Sequence, residues 1–210
     1  MKKESKKYYI YKYKIELLNL LSFLLFIILA CITYFIFKNY GNIFNAKTVD
    51  EGDLKFLIFI IIMFVWLGIH ELLHAISYII NGASIKNIET GIEIEKGILY
   101  CSCEQYISKK NIMISSLVPL TVIGIITYII SIIINNPYIA IYSIINISGS
   151  VGDIALFHLL KKMPKDIEFR EFDDPLAFCI SSTHDLSKIT SKTINLEEVL
   201  DDDKKITKCK

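Results

Sequence analysis

Two histidines and a glutamate stand close together in the run His70-Glu71-Leu72-Leu73-His74. In an α-helix, residues four apart lie on one face about one turn from each other, so both imidazoles can bind one zinc ion. The glutamate beside them is placed to take a proton from a water molecule, which is the chemistry that peptide-bond hydrolysis requires. The motif therefore predicts Zn²⁺ held by His70 and His74, with Glu71 as the catalytic base.

The motif lies inside an apolar segment, residues 54–80, that is long enough to cross a membrane as a helix. Ionisable groups in such a helix cost about 2.5–3.5 kcal/mol per charged residue on insertion scales, unless they are paired or bind a metal. This location favours a metal site. The alternative is a cluster of polar side chains that satisfy one another at a helix interface.

Zinc catalysis needs a third protein ligand and an open position for water. Glu93 and Glu95 follow at a suitable distance, but that arrangement requires a helical glutamate and both fall in a predicted hairpin. Asp153 lies in another apolar segment, in the run Gly149-Ser150-Val151-Gly152-Asp153, whose small residues would let two helices approach closely. We expect Asp153 to be the third ligand; an N-cap or interfacial carboxylate is its alternative role.

The depths of these residues in the membrane agree. His70 is 16 residues from Leu54, and Asp153 is 16 residues from Pro137, which are the outer ends of the two apolar segments. At about 1.5 Å per residue, both lie about 24 Å from the outer surface. They are therefore expected at one level, on the cytoplasmic side of the hydrocarbon core.

Three further residues have two possible roles each. Asn146 lies two helical turns before Asp153, where it could donate a hydrogen bond to a substrate carbonyl or oxyanion, or only pack between helices. Cys101 and Cys103 form a C-x-C that could bind a metal, or could be two small residues of one strand.

The composition of the 210-residue chain predicts an all-α polytopic membrane protein. It is 53% hydrophobic with a mean hydropathy of +0.46, which is too apolar for an ordinary soluble domain of this length. The apolar residues concentrate in four segments of transmembrane length, namely 17–37, 54–80, 112–134 and 138–160. Together they predict a four-helix membrane metallopeptidase-like domain over residues 17–160.

A β-hairpin is expected between the second and third segments, over residues 84–107. Apolar residues alternate there with polar ones on both sides of Glu95-Lys96-Gly97, a pattern typical of two strands joined by a turn. Because the hairpin follows the second span, we expect it at the cytoplasmic face of the membrane.

Lysine and arginine are distributed unevenly, which predicts the orientation. Fourteen flank the spans on one side and three on the other, so both termini are expected in the cytoplasm of a multi-pass cell-membrane protein. Residues 1–16 are then a basic tail. Residues 161–210 are a second cytoplasmic tail, with a short strand at residues 178–181 and a solvated acidic run at 197–203. A net charge of +1 provides no basic field, so no nucleic-acid partner is expected.

From residue 64 to residue 180, the chain resembles the "Putative zincin peptidase" family of bacterial membrane proteins, which is related to the intramembrane site-2 proteases. The stretches that carry this resemblance are HELLHA, YCSCEQ, SLVPL, SGSVGDI and DDPLAF. It implies zinc on His70, His74 and Asp153 with Glu71 as the base. Site-2 proteases, however, carry prolines before the aspartate and a glycine after it, whereas Gly152 precedes Asp153 in this chain.

The resemblance implies a zinc-dependent, membrane-embedded endopeptidase that cleaves membrane or membrane-proximal proteins. The expected partners are a protein or peptide substrate, the lipid bilayer and a regulatory membrane protein. The alternative is a non-catalytic membrane scaffold or metal-sensing protein that keeps the zincin fold. A transporter is disfavoured because the chain has four predicted spans and no internal repeat.

Overall fold

The computed structural model describes residues 7–12, 14–40, 52–93, 98–171, 177–186 and 192–194. Most of these residues are helical. The helices are α1 (Ile15–Tyr40), α2 (Gly52–Ile80), α3 (Lys109–Pro119), α4 (Thr127–Ile133), α5 (Pro137–Gly149) and α6 (Val151–Lys161), with a π-helical segment, Leu120–Ile126, between α3 and α4.

Three helical stretches of the described chain are long and apolar enough to cross a membrane: α1, α2 and the run from α3 to α4. Each overlaps a predicted span. The fourth predicted span, 138–160, is a pair of helices, α5 and α6, bent by 42° at Ser150. Large apolar side chains remain exposed along the outer faces of the three long helices, as expected for surfaces that contact lipid.

The local sequence explains the π-helical segment between α3 and α4 and the start of α5. Pro119 lacks an N–H and its ring crowds the preceding turn, and the backbone widens into the π-helical segment directly after it. A turn then follows, where the Asn136 side chain accepts from the N–H groups of Tyr138 and Ile139 and Pro137 takes the first helical position of α5.

The expected hairpin is present. Strand β2 (Ile88–Glu93) pairs antiparallel with β3 (Ile98–Cys103), with Ile88 opposite Cys103 and Glu93 opposite Ile98. Residues 94–97, where the turn is expected, lie outside the described residues, and Glu95 is one of them.

The protein also contains a second sheet, which the expected all-α class does not include. It has five strands in the order β4 (Ile107–Ser108), β5 (Glu168–Glu171), β6 (Ala177–Ser182), β1 (Lys7–Lys12) and β7 (Lys192–Ile194). Segments 1–16 and 161–210, expected as tails, thus both contribute strands. The strand expected at 178–181 lies within β6, and the acidic run 197–203 lies outside the described residues.

The core of this sheet is continuous with the core beneath the helices. Tyr9 of β1 is fully buried, and its hydroxyl donates to the carbonyl of His184. The rings of Phe169 on β5 and Phe178 on β6 pack together at a tilt, with centroids 4.6 Å apart, and Ile112 and Leu160 of the helices belong to the same buried cluster. The sheet and the helix ends next to it therefore form one packed unit.

Replacement of Tyr9 tests whether the sheet holds the two ends of the chain together. Tyr9→Ala should cost about 3 kcal/mol or more, because a fully buried aromatic ring is lost. Tyr8→Ala, which truncates a partly exposed neighbour on the same strand, is the control and should cost much less. The measurement is the rate at which the detergent-solubilised chain is proteolysed in residues 161–210. Equal protection in the two variants would contradict this role.

Candidate metal centre

Helix α2 presents the two histidines on its inner face. Both side chains are buried, the ring centroids are 4.9 Å apart and the two Nε2 atoms are 3.1 Å apart. This is the side-by-side arrangement that the i, i+4 spacing predicts for one helical face.

The break between α5 and α6 positions the Asp153 carboxylate beside the two histidines. Ser150 caps the end of α5, and its hydroxyl donates to the Asn146 carbonyl one turn back, a bond that tends to bend helices. Asp153 then falls in the first turn of α6, whose axis is turned by 42° from that of α5. The bend directs the chain so that this carboxylate meets α2.

Three ligand atoms converge at the centre. The Asp153 oxygens lie 3.4 Å from His70 Nε2 and 3.4 Å from His74 Nε2, and the three atoms lie within 4.8 Å of one another. Two imidazole nitrogens and a carboxylate oxygen are a donor set that zinc accepts in catalytic sites, with a fourth position left for water. The described residues therefore provide a possible metal site at His70, His74 and Asp153.

The outer nitrogen of each imidazole also has a neighbour. His74 Nδ1 lies 3.0 Å from the backbone carbonyl of Ser115 on α3. A carbonyl can only accept, so Nδ1 carries the proton and Nε2 is left with a lone pair for a metal. The Ser115 hydroxyl is in turn held by Ser77 of α2, at 2.9 Å between the two oxygens.

Asn146 occupies the equivalent position beside His70. Its Nδ2 lies 2.9 Å from His70 Nδ1, while its buried Oδ1 has no hydrogen-bond partner. A 180° rotation of the amide exchanges these atoms, so that Oδ1 accepts from Nδ1–H and Nε2 is free to bind a metal. The donor set thus fits zinc, because each imidazole can carry its proton on Nδ1 and leave Nε2 for the ion. The predicted contact of Asn146 with substrate stays a prediction, because the described partner is the histidine.

The glycines beside Asp153 do not serve the close helix approach that their sequence suggests. A Cβ added to Gly149 or Gly152 would meet no atom within 4 Å, and both residues line an open cavity. The close approach is instead at Gly124 of the π-helical segment. A Cβ there would lie 2.9 Å from Cγ1 of Ile147 and 3.3 Å from Oδ1 of Asn146.

A cavity of about 370 Å³ opens over the three ligands. Glu71 lines it, together with residues of α1, α2, α5 and α6 and with Ile98–Cys101 of β3. The base expected from sequence and the metal ligands therefore share one chamber with a β-strand.

One edge of β3 is turned away from its partner strand. The Cys103 N–H donates to Glu171 Oε2 at 2.8 Å, so it points away from β2. Backbone groups alternate in direction along a strand, and those of Leu99 and Cys101 therefore point to the same free edge. Both residues line the cavity, and no strand of the described part of the chain pairs with this edge.

The other sequence candidates do not belong to the cluster of metal-binding groups among the described residues. Glu93 ends β2 and does not belong to the metal cluster, and Cys101 and Cys103 are buried in β3. Burial raises the pKa of both thiols, which favours the neutral form over the thiolate that binds metals. The strand interpretation of the C-x-C therefore fits the structure.

Two residues of the cavity were not singled out from the sequence. Tyr78 stacks on His74 with ring centroids 6.4 Å apart, and Glu171 of β5 contacts the Tyr78 hydroxyl. The i+4 spacing from His74 could have indicated Tyr78. No local pattern distinguishes Glu171 from its acidic neighbours, because only the sheet brings it to the cavity.

Comparison with known proteins identifies the family. A model of the family described as "Putative zincin peptidase" matches residues 61–167, half of the chain, and the chain belongs to this family. The matched region includes His70, Glu71, His74 and Asp153. Membership implies zinc, and the possible metal site is consistent with it.

One curated relative is similar over part of its length. It is the "Uncharacterized 24.7 kDa protein in gap 5'region" of Pyrococcus woesei, which is 32% identical over 116 residues. The match covers 54% of this chain and 50% of the relative, so the chain spans about half of that protein's length. No solved structure matches.

Substitution of Gly124 tests how the π-helical segment positions Asn146. Gly124→Ala should cost about 1–3 kcal/mol through overpacking and should weaken zinc binding, because the new methyl group displaces Ile147 and the amide beside His70. Gly68→Ala is the control, since a Cβ there meets nothing within 4 Å. Zinc titration and thermal unfolding in detergent provide the readouts. Unchanged zinc affinity in Gly124→Ala would refute this positioning.

Proposed function

We propose that this protein is a zinc-dependent, membrane-embedded endopeptidase that hydrolyses membrane or membrane-proximal proteins, in the manner of site-2 proteases. The observation that carries the proposal is the convergence of His70, His74 and Asp153 in a cavity that also contains Glu71 and a free strand edge. Membership of the zincin peptidase family supports the same chemistry.

Each residue has a distinct part in the reaction. His70, His74 and Asp153 would hold the ion, which polarises the scissile carbonyl and acidifies an attacking water molecule. Glu71 takes the proton from that water and passes it to the leaving amine. The Ser115 carbonyl holds the His74 ring in its orientation, and Asn146 does the same for His70.

The free edge of β3 presents the substrate. A peptide bond within a helix hides its carbonyl, so a membrane segment must be extended before it can be cleaved. Backbone groups of Leu99 and Cys101 can pair with such an extended segment and fix its position over the cavity. The hairpin is thereby the substrate-binding element of the site.

The arrangement of strands supports the predicted orientation of the chain. Strands β1, β4 and β6 share one sheet, so residues 7–12, 107–108 and 177–182 lie on one side of the molecule. The chain leaves this side through α1, returns through α2, leaves again through α3 and α4, and returns through α5 and α6. With the excess of lysine on that side, we place the sheet and both termini in the cytoplasm.

Replacement of Glu71 separates metal binding from catalysis. Glu71→Gln should retain zinc and lose cleavage by about 100-fold or more, because only the general base is removed. His74→Ala should lose zinc, and Glu168→Gln on β5, which does not line the cavity, should change neither. Zinc is measured by mass spectrometry on purified protein, and cleavage by comparing the membrane proteomes of cells that carry each variant.

The same measurements separate the rival functions. A wild-type protein without stoichiometric zinc would contradict the proposal. Stoichiometric zinc, with the same membrane proteome in wild-type and Glu71→Gln cells, would support a non-catalytic scaffold or metal-sensing protein instead.

Reporter insertions test the orientation. Alkaline phosphatase inserted after Asn136, in the turn between α4 and α5, should be active because that turn faces outward. Inserted after Met163, beyond α6, it should be inactive, and a fluorescent protein should give the reverse pattern. Activity of the phosphatase at Met163 would contradict a cytoplasmic sheet.

A further inference from the structure

Glu171 is a carboxylate in the catalytic cavity that the proposed reaction does not use. It lies on β5, four residues beyond the region matched by the family model. Its oxygens accept from the Cys103 N–H at 2.8 Å and from the Tyr78 hydroxyl at 3.3 and 3.4 Å. It therefore lies at one end of the free edge of β3 and one aromatic ring away from His74.

Glu171 has no lysine or arginine partner among the described residues. Its two hydrogen-bond partners are uncharged donors, and no lysine or arginine of the described part of the chain lines the cavity. Burial raises the pKa of Glu171 to about 7, although the Cys103 N–H, the charge of His74 and the Tyr78 hydroxyl each lower it. A cation placed beside such a carboxyl group favours its ionised form.

When its carboxylates are ionised, the cavity carries more negative charge than a divalent ion balances. Three carboxylates line it, those of Glu71, Asp153 and Glu171, and its two histidines are neutral when they bind a metal. A divalent ion balances two of the three negative charges. When Glu171 is ionised, one negative charge is left unbalanced, and a positively charged group of the substrate can balance it.

The strand edge directs a substrate toward Glu171. A peptide paired with Leu99 and Cys101 runs along β3 toward Cys103, where the next N–H is already bound to the Glu171 carboxylate. Pairing along the edge therefore stops at this carboxylate. Either the end of the peptide or one of its side chains must face it.

We propose that Glu171 is a subsite that binds a positively charged group of the peptide substrate, either a lysine or arginine side chain or a free α-amine. This inference rests on the proposed peptidase function, since that function places a peptide in the cavity. Glu171 thereby determines which substrates bind, while Glu71 and the three ligands perform the reaction.

A glutamine at position 171 separates this role from a structural one. Glu171→Gln keeps an oxygen that accepts from Cys103 and Tyr78, so the link between β5, β3 and α2 can persist while the charge is lost. Glu168→Gln is the matched control, because Glu168 is on the same strand and does not line the cavity.

The experiment measures binding rather than turnover. Ten-residue apolar peptides with an uncharged dye at the C-terminus are titrated against full-length, zinc-loaded Glu71→Gln protein in detergent, with fluorescence anisotropy as the readout. One set is acetylated and carries a single lysine, placed at each position in turn. A second peptide has only a free α-amine, and an acetylated norleucine peptide without charge is the reference.

At least one charged peptide should bind about tenfold tighter than the reference, as expected for a charge-assisted hydrogen bond in a partly buried site. The preference should disappear in the Glu71→Gln, Glu171→Gln double variant and persist with Glu168→Gln. A preference confined to lysine peptides identifies a side chain as the ligand, and one confined to the free amine identifies a peptide terminus. Absence of any preference, or its survival without Glu171, overturns the subsite.

Failure of the subsite and failure of the peptidase function give different results. Charge-selective binding to Glu71→Gln, without hydrolysis of the same peptides by the wild type, would support the subsite and contradict the peptidase. Hydrolysis by the wild type, with equal affinity for charged and uncharged peptides, would support the peptidase and contradict the subsite.

Discussion

The contact of the Asp153 carboxylate with the two imidazoles of α2 is the interaction on which the arrangement of helices depends. Apolar helices offer these groups little water, so each polar atom requires a protein partner or a metal. The inner nitrogens face the carboxylate, and the outer ones face Ser115 of α3 and Asn146 of α5. Helices α2, α3, α5 and α6 are thus joined at one point, and the bend at Ser150 lets α5 and α6 contribute from one apolar segment.

The two sheets connect this centre to the rest of the chain. The hairpin brings a free strand edge to the cavity, and the five-stranded sheet brings Glu171 to the end of that edge. Both sheets lie on the side of the molecule where the histidines and Asp153 are found. In the proposed peptidase, this arrangement would let an extended peptide reach the metal site from outside the apolar region.

Much of the helical framework and of the site followed from sequence because the signals are local. A run of apolar residues defines a membrane helix, an i, i+4 spacing defines a shared face, and alternation around a glycine-containing turn defines a hairpin. The five-stranded sheet could not be predicted in this way. Its strand β1 pairs with β6, so that Tyr9 lies opposite Ile180, and nothing near either residue specifies a partner so distant in the chain. The close helix approach was predicted at the wrong glycines, because it also depends on which helices meet in the fold. Gly149 and Gly152 face a cavity, and Gly124 makes the close contact.

The sequence alone determined the chemical types at the site: two imidazoles on one helix face, a glutamate beside them and an aspartate at the same membrane depth. These properties depend on helical periodicity and on hydropathy, which residues close together in the sequence determine. Only the tertiary structure decided which atoms meet, namely that Asn146 faces His70, that Ser115 orients His74 and that Glu171 reaches the cavity. The reason is physical, because these contacts depend on a 42° bend, one close glycine contact and the pairing of strands from opposite ends of the chain.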